Sequence, residues 1–235
     1  MIRERRVGLM AAVLGFAAWA GDARAGLIAW SSPRQISGDA DVLTNGTADR
    51  AYVFGGGGDT INGVAFTNFA NQAGDTSNIT GTASEGTFGA GNGSLGGPYR
   101  DLVSNSIYGS IGTFTLNGLT AGASYEVEVW VNDSRGGGEQ TRSETISGSP
   151  TLQFNTAQAE GGLGQYLVGT FVADASRSQT LAFAPVVGGV VQLNGLQLRD
   201  LSTAAAVPEP SSLCLCAIGG LAASVLAASR RRPRA

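Results

Sequence analysis

The chain is 235 residues long and sets 15 arginines against 18 acidic residues, a formal net charge of −3, with no lysine, no histidine and two cysteines. Eight of the arginines lie at the two ends, so residues 26–207 keep 7 arginines and 15 acids, a net charge of −8, and neither cysteine. Such a segment excludes Ser-His-Asp and Cys-His nucleophile systems, histidine-ligated zinc or iron, and disulfide staples. Its acidity argues against nucleic-acid or anionic-lipid partners, which call for basic patches.

At the start of the chain, Arg3, Arg5 and Arg6 precede an apolar stretch from Val7 to Ala20 and a small-x-small site at Ala23-Arg24-Ala25. These are the three parts of a secretory signal peptide, predicting that residues 1–25 are removed to leave Gly26 first. The surroundings of Arg5-Arg6 fit the general secretory route better than the twin-arginine one.

Residues 26–202 are expected to form one all-β domain, a β-sandwich of jelly-roll type. Apolar stretches at 27–30, 51–54, 61–69, 111–117, 124–132, 151–155, 165–173, 179–184 and 190–200 alternate with clusters of Gly, Asn, Asp and Ser. Their period is two and turn residues separate them. Tyr125, Val127, Val129 and Val131 share one strand face; Glu126, Glu128, Trp130 and Asn132 share the other. Phe114 pairs with Leu116 and Val191 with Leu193, and Leu196 and Leu198 follow after an irregularity at Gly195. Asn117-Gly118 and Asn194-Gly195 suit tight turns or bulges. Gly55 to Gly58 reads as a flexible linker, since no Gly-Lys-Ser/Thr follows to make a phosphate loop. Residues 70–100, poor in apolar anchors, read as a long loop or weak hairpin. No internal repeat points to a solenoid or propeller.

Three constellations in this domain carry chemistry. Trp130, Asn132, Asp133 and Arg135, with Glu126 and Glu128 on the face of Trp130, form a candidate ligand-binding set. The apolar face of a pyranose stacks on an aromatic ring while planar polar groups hold its hydroxyls. The competing reading has Trp130 covered by the 70–100 segment and Asp133 paired with Arg135 to brace a turn. Asp39, Asp41 and Asn45 offer oxygen ligands for a structural calcium ion, out of register with an EF-hand loop; Asx turns explain the same residues without a metal. Glu126/Glu128 and Glu139/Glu144 are the pairs open to glycoside hydrolysis, which needs two carboxylates facing across a cleft. Two strand positions apart, Glu126 and Glu128 stand about 7 Å from each other along one strand, whereas a catalytic pair faces across a cleft; acids on the outer face of a strand are usually just solvated.

After a linker at 203–207 come Pro208-Glu209-Pro210, an uncharged run from Leu213 to Ser229 that includes Cys214 and Cys216, and Arg230-Arg231-Arg232-Pro233-Arg234. As a helix the run would be about 25 Å long, a little short of a hydrocarbon core of about 30 Å, with the arginines on the cytoplasmic side. The segment 208–235, entered through Val207-Pro208-Glu209-Pro210-Ser211-Ser212-Leu213, resembles the sorting signal of PEP-CTERM proteins. That resemblance implies export across the inner membrane of a Gram-negative bacterium, with a transient inner-membrane intermediate held by 213–229. It further implies recognition by an exosortase, cleavage near Pro208-Glu209-Pro210, and a final place at the cell surface or in an extracellular matrix, alongside exopolysaccharide. The domain itself is similar to the glycine-rich jelly-roll domains found ahead of this signal and, more distantly, to galactose-binding-like modules.

Three functional expectations follow. The first is a non-enzymatic exported surface or matrix protein whose sandwich binds extracellular polysaccharide. The second is a structural coat protein that adheres through self-association. The third, the least supported, is a carboxylate-dependent glycosidase.

Overall fold

The computed structural model describes residues 26–71, 78–89 and 93–202. The expected signal peptide (1–25), linker (203–207) and sorting segment (208–235) lie outside the described residues. Among the described residues no helix is long and apolar enough to cross a membrane.

The chain runs through β1 (Ala29–Trp30), β2 (Arg34–Gln35), β3 (Thr47–Val53), β4 (Thr60–Ile61), β5 (Val64–Ala65), β6 (Thr67–Asn68) and β7 (Ile79–Thr87). A single described α-helix, α1 (Gly97–Ser104), leads directly into β8 (Asn105–Asn117). There follow β9 (Ser124–Val131), β10 (Ser143–Ile146), β11 (Leu152–Gln153), β12 (Gln165–Val172), β13 (Ser178–Val187), β14 (Val191–Leu193) and β15 (Gly195–Asp200). The first sheet has seven strands in the order β1-β12-β9-β15-β3-β6, with β2 also on β12. The second has six, in the order β11-β10-β13-β8-β14, with β7 on the free side of β8. The architecture is an all-β sandwich, as the period-two pattern predicts.

The central strand β9 shows why. Tyr125, Val127, Val129 and Val131 are buried and point into the main core, where they meet Phe114, Leu116, Ile146, Leu181 and Leu193 of the second sheet. Phe54, Phe69 and Phe114 form its aromatic centre, with ring centroids 4.7–6.2 Å apart; such tilted and edge-on contacts suit the ring quadrupole. The strand predicted at 190–200 is two strands. β14 pairs with β8 and β15 with β9 and β3, so the chain changes sheets at Asn194-Gly195. The irregularity expected at Gly195 is this crossing. A Cβ on Gly195 would lie 2.5 Å from Leu102 Cδ1, so only glycine admits the helix there.

Other stretches depart from the sequence reading, β10 among them, which falls outside every predicted strand. The 61–69 run is not one strand: β4 and β5 form a hairpin turned at Asn62-Gly63, both with positive φ, and β6 joins β3 in parallel. The 70–100 segment contains the nine-residue β7 and the first turn of α1. Gly55 and Gly56 are not a free linker, since added Cβ atoms would come within 2.9 Å of Ser106 O and Asn105 Nδ2.

The outer face of the first sheet carries a third layer. Ile36, Val42, Ile61, Val64, Phe66, Leu95, Tyr99, Leu102 and Val103 pack against Ala51, Val53, Trp130 and Tyr166 in a second core. Pro98 stands in the first turn of α1 where a missing N–H costs nothing, and Tyr99, Leu102 and Val103 make its buried stripe.

Candidate functional site

Trp130 is the decisive residue, because the two readings of the set differ on whether it is an exposed platform for a sugar or is covered. Its side chain is fully buried. Its ring lies 5.9 Å from that of Phe66, edge-on, and 6.4 Å from that of Tyr166, near parallel. The expectation of an exposed aromatic platform is therefore corrected: the third layer occupies the face on which a glycan would stack. The cover comes from α1, Phe66 and the 36–42 segment, so the 70–100 stretch supplies only part of it.

The other members of the set are equally committed. Glu128 is buried, its Oε2 accepting from the Leu43 amide at 3.2 Å and from Gln197 Nε2 at 2.9 Å. Burial pushes its pKa up to about 8 against those two hydrogen bonds, with Glu126 and Asp41 adding to the rise. Beside it Arg199 donates to the carbonyls of Thr44, Asn45 and Gly46. Glu128, Gln197 and Arg199 thus hold the 43–46 segment flat on the sheet, and no cleft separates Glu126 from Glu128. Asn132 is buried and bonds Val103 O, Ser134 Oγ and the Gly164 amide. Asp133, also buried, is gripped by Arg135 through two bonds of 2.9 and 2.7 Å, and the guanidinium of Arg135 sits 4.4 Å above the Phe88 ring. The pair braces its turn. Glu144 is fully buried, accepts from the Gln192 amide, and is raised well above the usual carboxylate range by burial; Glu139 lies 3.7 Å from Arg142.

The calcium set does not assemble either. Asp41 accepts from the amides of Ser37 and Gly38, from Ser37 Oγ and from Tyr99 Oη at 2.6 Å, which fills its carboxylate with donors. Asn45 contributes its carbonyl to Arg199. Among the described residues no three acidic, histidine or cysteine side chains are grouped to hold a metal ion. Pro208, Glu209 and Pro210 lie outside the described residues.

What is open is a cleft of about 720 Å³ where the β3–β6 edge of the first sheet meets the turn after β8. Asp49, Arg50, Tyr52, Thr67, Asn117 and Gly118 line it. Arg50 reaches across it: Nε donates to Asp49 Oδ2 at 2.7 Å and Nη2 to the Asn117 carbonyl at 2.9 Å. Gly118, with φ of +78°, makes the turn that brings Asn117 to this position. A second hollow of about 580 Å³, lined by Asp59, Thr60, Phe66 and Asn68, adjoins it through Ala65 and Thr67. The sequence reading missed all of these residues. Its available signals were Asn117-Gly118, read only as a tight turn or bulge, and Asp49-Arg50, a charged pair just ahead of the predicted 51–54 strand with no apolar pattern of its own.

No protein-family model matches the chain and no curated protein matches it. Solved structures match its fold at low similarity. The ANXUR1 extracellular domain of Arabidopsis thaliana matches at 16% identity and a TM-score of 0.44, over 65% of this chain and 48% of that one. The ANX2 ectodomain of the same plant matches at 15% and 0.45, over 65% and 49%. A Bacteroides uniformis β-glucuronidase matches at 16% and 0.44, over 64% of this chain and 18% of the enzyme. The chain thus spans about half the length of the ectodomains it resembles.

Proposed function

We propose that this chain is an exported, non-enzymatic protein of the cell surface or extracellular matrix, and that its sandwich binds extracellular polysaccharide in the β3–β6 cleft. In this reading the leader and the sorting segment carry the domain out through the inner membrane of a Gram-negative bacterium and hand it to an exosortase. The observation that carries the binding role is the Arg50 guanidinium, pinned between Asp49 and Asn117 in an open cleft. Planar groups fixed in advance hydrogen-bond sugar hydroxyls without the entropy cost of ordering a long side chain. The cleft's volume suits a few sugar units. Trp130, Asn132, Asp133, Arg135, Glu126 and Glu128 then serve the fold. The buried placing of Glu128 beneath residues 43–46 supports a non-catalytic reading, because no hydrolytic water or glycosidic oxygen reaches it there.

The test is retention of the mature chain on native exopolysaccharide and on a glycan array. Arg50→Ala should weaken retention about tenfold, in line with one charge-assisted hydrogen bond, while Arg135→Ala should leave it unchanged. Retention that ignores Arg50→Ala and Asp49→Ala, or its complete absence from the unaltered chain, would sink the proposal.

A further inference from the structure

The edges of the two sheets are of different kinds. On the first sheet, β1 and β2 are two residues each and separated by Pro33, and β6 is two residues. On the second, β11 is two residues, and β14 is three buried ones. Short edges, proline and burial are the usual means by which a sheet avoids pairing with another chain. β7 uses none of them. It is nine residues long, Ile79-Thr80-Gly81-Thr82-Ala83-Ser84-Glu85-Gly86-Thr87, pairs among the described residues only with β8, and is exposed from Thr80 to Glu85. It holds no lysine, arginine or proline and a single charge, Glu85; its one irregularity is a register shift at Thr80/Gly81. Alternate residues of such a strand turn their N–H and C=O groups away from β8.

We propose that β7 is an interaction edge that pairs antiparallel with β7 of a second copy of this chain, joining two six-stranded sheets across a two-fold axis at Ala83. The strand's sequence fits itself in that register. Ile79 meets Thr87, Thr80 meets Gly86, Thr82 meets Ser84, and Glu85 meets Gly81. All nine residues are paired, and the two Glu85 carboxylates stand about 13 Å apart along the strands, so the edge's only charge opposes a glycine. Thr80 and Glu85 face glycines, Thr82 faces Ser84 and Ala83 faces itself, and no apolar surface is required, because the ladder hydrogen bonds supply the contact. The symmetry is isologous, so it closes at a dimer.

The experiment is disulfide capture in the full chain carrying Cys214→Ser and Cys216→Ser. Residues directly opposite in an antiparallel pair have Cα atoms about 4.5–5.5 Å apart, within the range a disulfide spans. Ala83→Cys should therefore give a dimer on mild oxidation, whereas Val172→Cys, exposed on β12 of the other sheet, should give only collisional background. Adding Thr82→Lys and Ser84→Lys places lysines opposite lysines across the proposed axis and should return Ala83→Cys to that background, with the circular dichroism of the sandwich retained. Equal cross-linking of the two cysteine variants, or an Ala83→Cys dimer that survives the lysines, overturns the proposal.

Discussion

The two sheets share a core and turn opposite outer faces to their surroundings. Behind β9 and β15 the outer face of the first sheet is dry: Trp130 and Tyr166 are covered by a third layer, and Glu128 and Gln197 are sealed under residues 43–46. Behind β7, β8 and β13 the outer face of the second sheet is bare and hydroxylated, with Thr80 bonded to Thr113 and Thr115 to Thr180 across strands. A residue of the same alternation class, pointing away from the main core, is therefore structural on one sheet and nearly free of stability constraint on the other. On the two proposals above, the third layer over the first sheet supplies rigidity, and contact with other molecules falls to the β3–β6 cleft at that sheet's edge and to the β7 edge of the second sheet.

The sharpest way to break this contrast is Trp130→Ala. The substitution empties the centre of the second core, where Phe66, Tyr99, Leu102 and Tyr166 meet. Truncating a fully buried aromatic costs about 4 kcal/mol, and urea unfolding of the variant should show that loss. Its retention on polysaccharide, measured where both proteins are folded, should stay unchanged. A loss of stability under about 1 kcal/mol, close to what an exposed position gives, would mean that the third layer does not pack on the sheet.

How much of this was legible beforehand depends on distance along the chain. The faces of β9 were readable because one strand carries the whole alternation, from Tyr125 to Val131. The cover over Trp130 was not, because Ile36 and Val42, Phe66, and Tyr99 come from three separate segments, each too short to show a period. β7 escaped notice for a different reason. Its Thr, Ser, Gly and Ala residues bury almost nothing, so its strand state comes from the ladder to β8 rather than from an apolar face. The cleft escaped because Arg50 and Asn117 lie 67 residues apart and meet only once β3 and the turn after β8 are in place.

The second prediction concerns pH and again separates the faces. The pKa of Glu128 is raised by burial to about 8 in the folded chain, from 4.5 when unperturbed, so the native state binds a proton that the unfolded chain releases. Between these values the folded form holds more protons, and stability must fall as pH rises. The loss attributable to Glu128 should be roughly 5 kcal/mol if the whole shift is realised, and it should flatten above about pH 8, where the carboxyl ionises in the folded chain as well. Glu144, raised in the same direction, adds to the slope. Glu128→Gln keeps an acceptor for the Leu43 amide and removes the titration, so its stability should fall less steeply over this window. A slope identical to that of the unaltered chain would show that Glu128 is not sealed beneath residues 43–46.

The smallest effect is expected on the bare sheet, and its smallness is the point. Thr115 and Thr180 bond each other at 3.1 Å on the exposed outer face. Cross-strand threonine pairs contribute about 0.2–1 kcal/mol, and valine retains the β-branched shape that favours a strand. Thr115→Val with Thr180→Val should therefore shift stability by less than about 0.5 kcal/mol, in either direction, at every pH at which Glu128 shows its slope. The exchange places two apolar side chains in open solvent on β8 and β13 without touching the main core, which lies on the opposite side of both strands. A loss of several kcal/mol would mean that this face is covered in solution as the first sheet's is, and the natural cover would be the second copy whose sheet β7 is proposed to extend. A neutral result together with an intact Ala83→Cys dimer would instead confine that copy to the edge and leave the hydroxylated face to water.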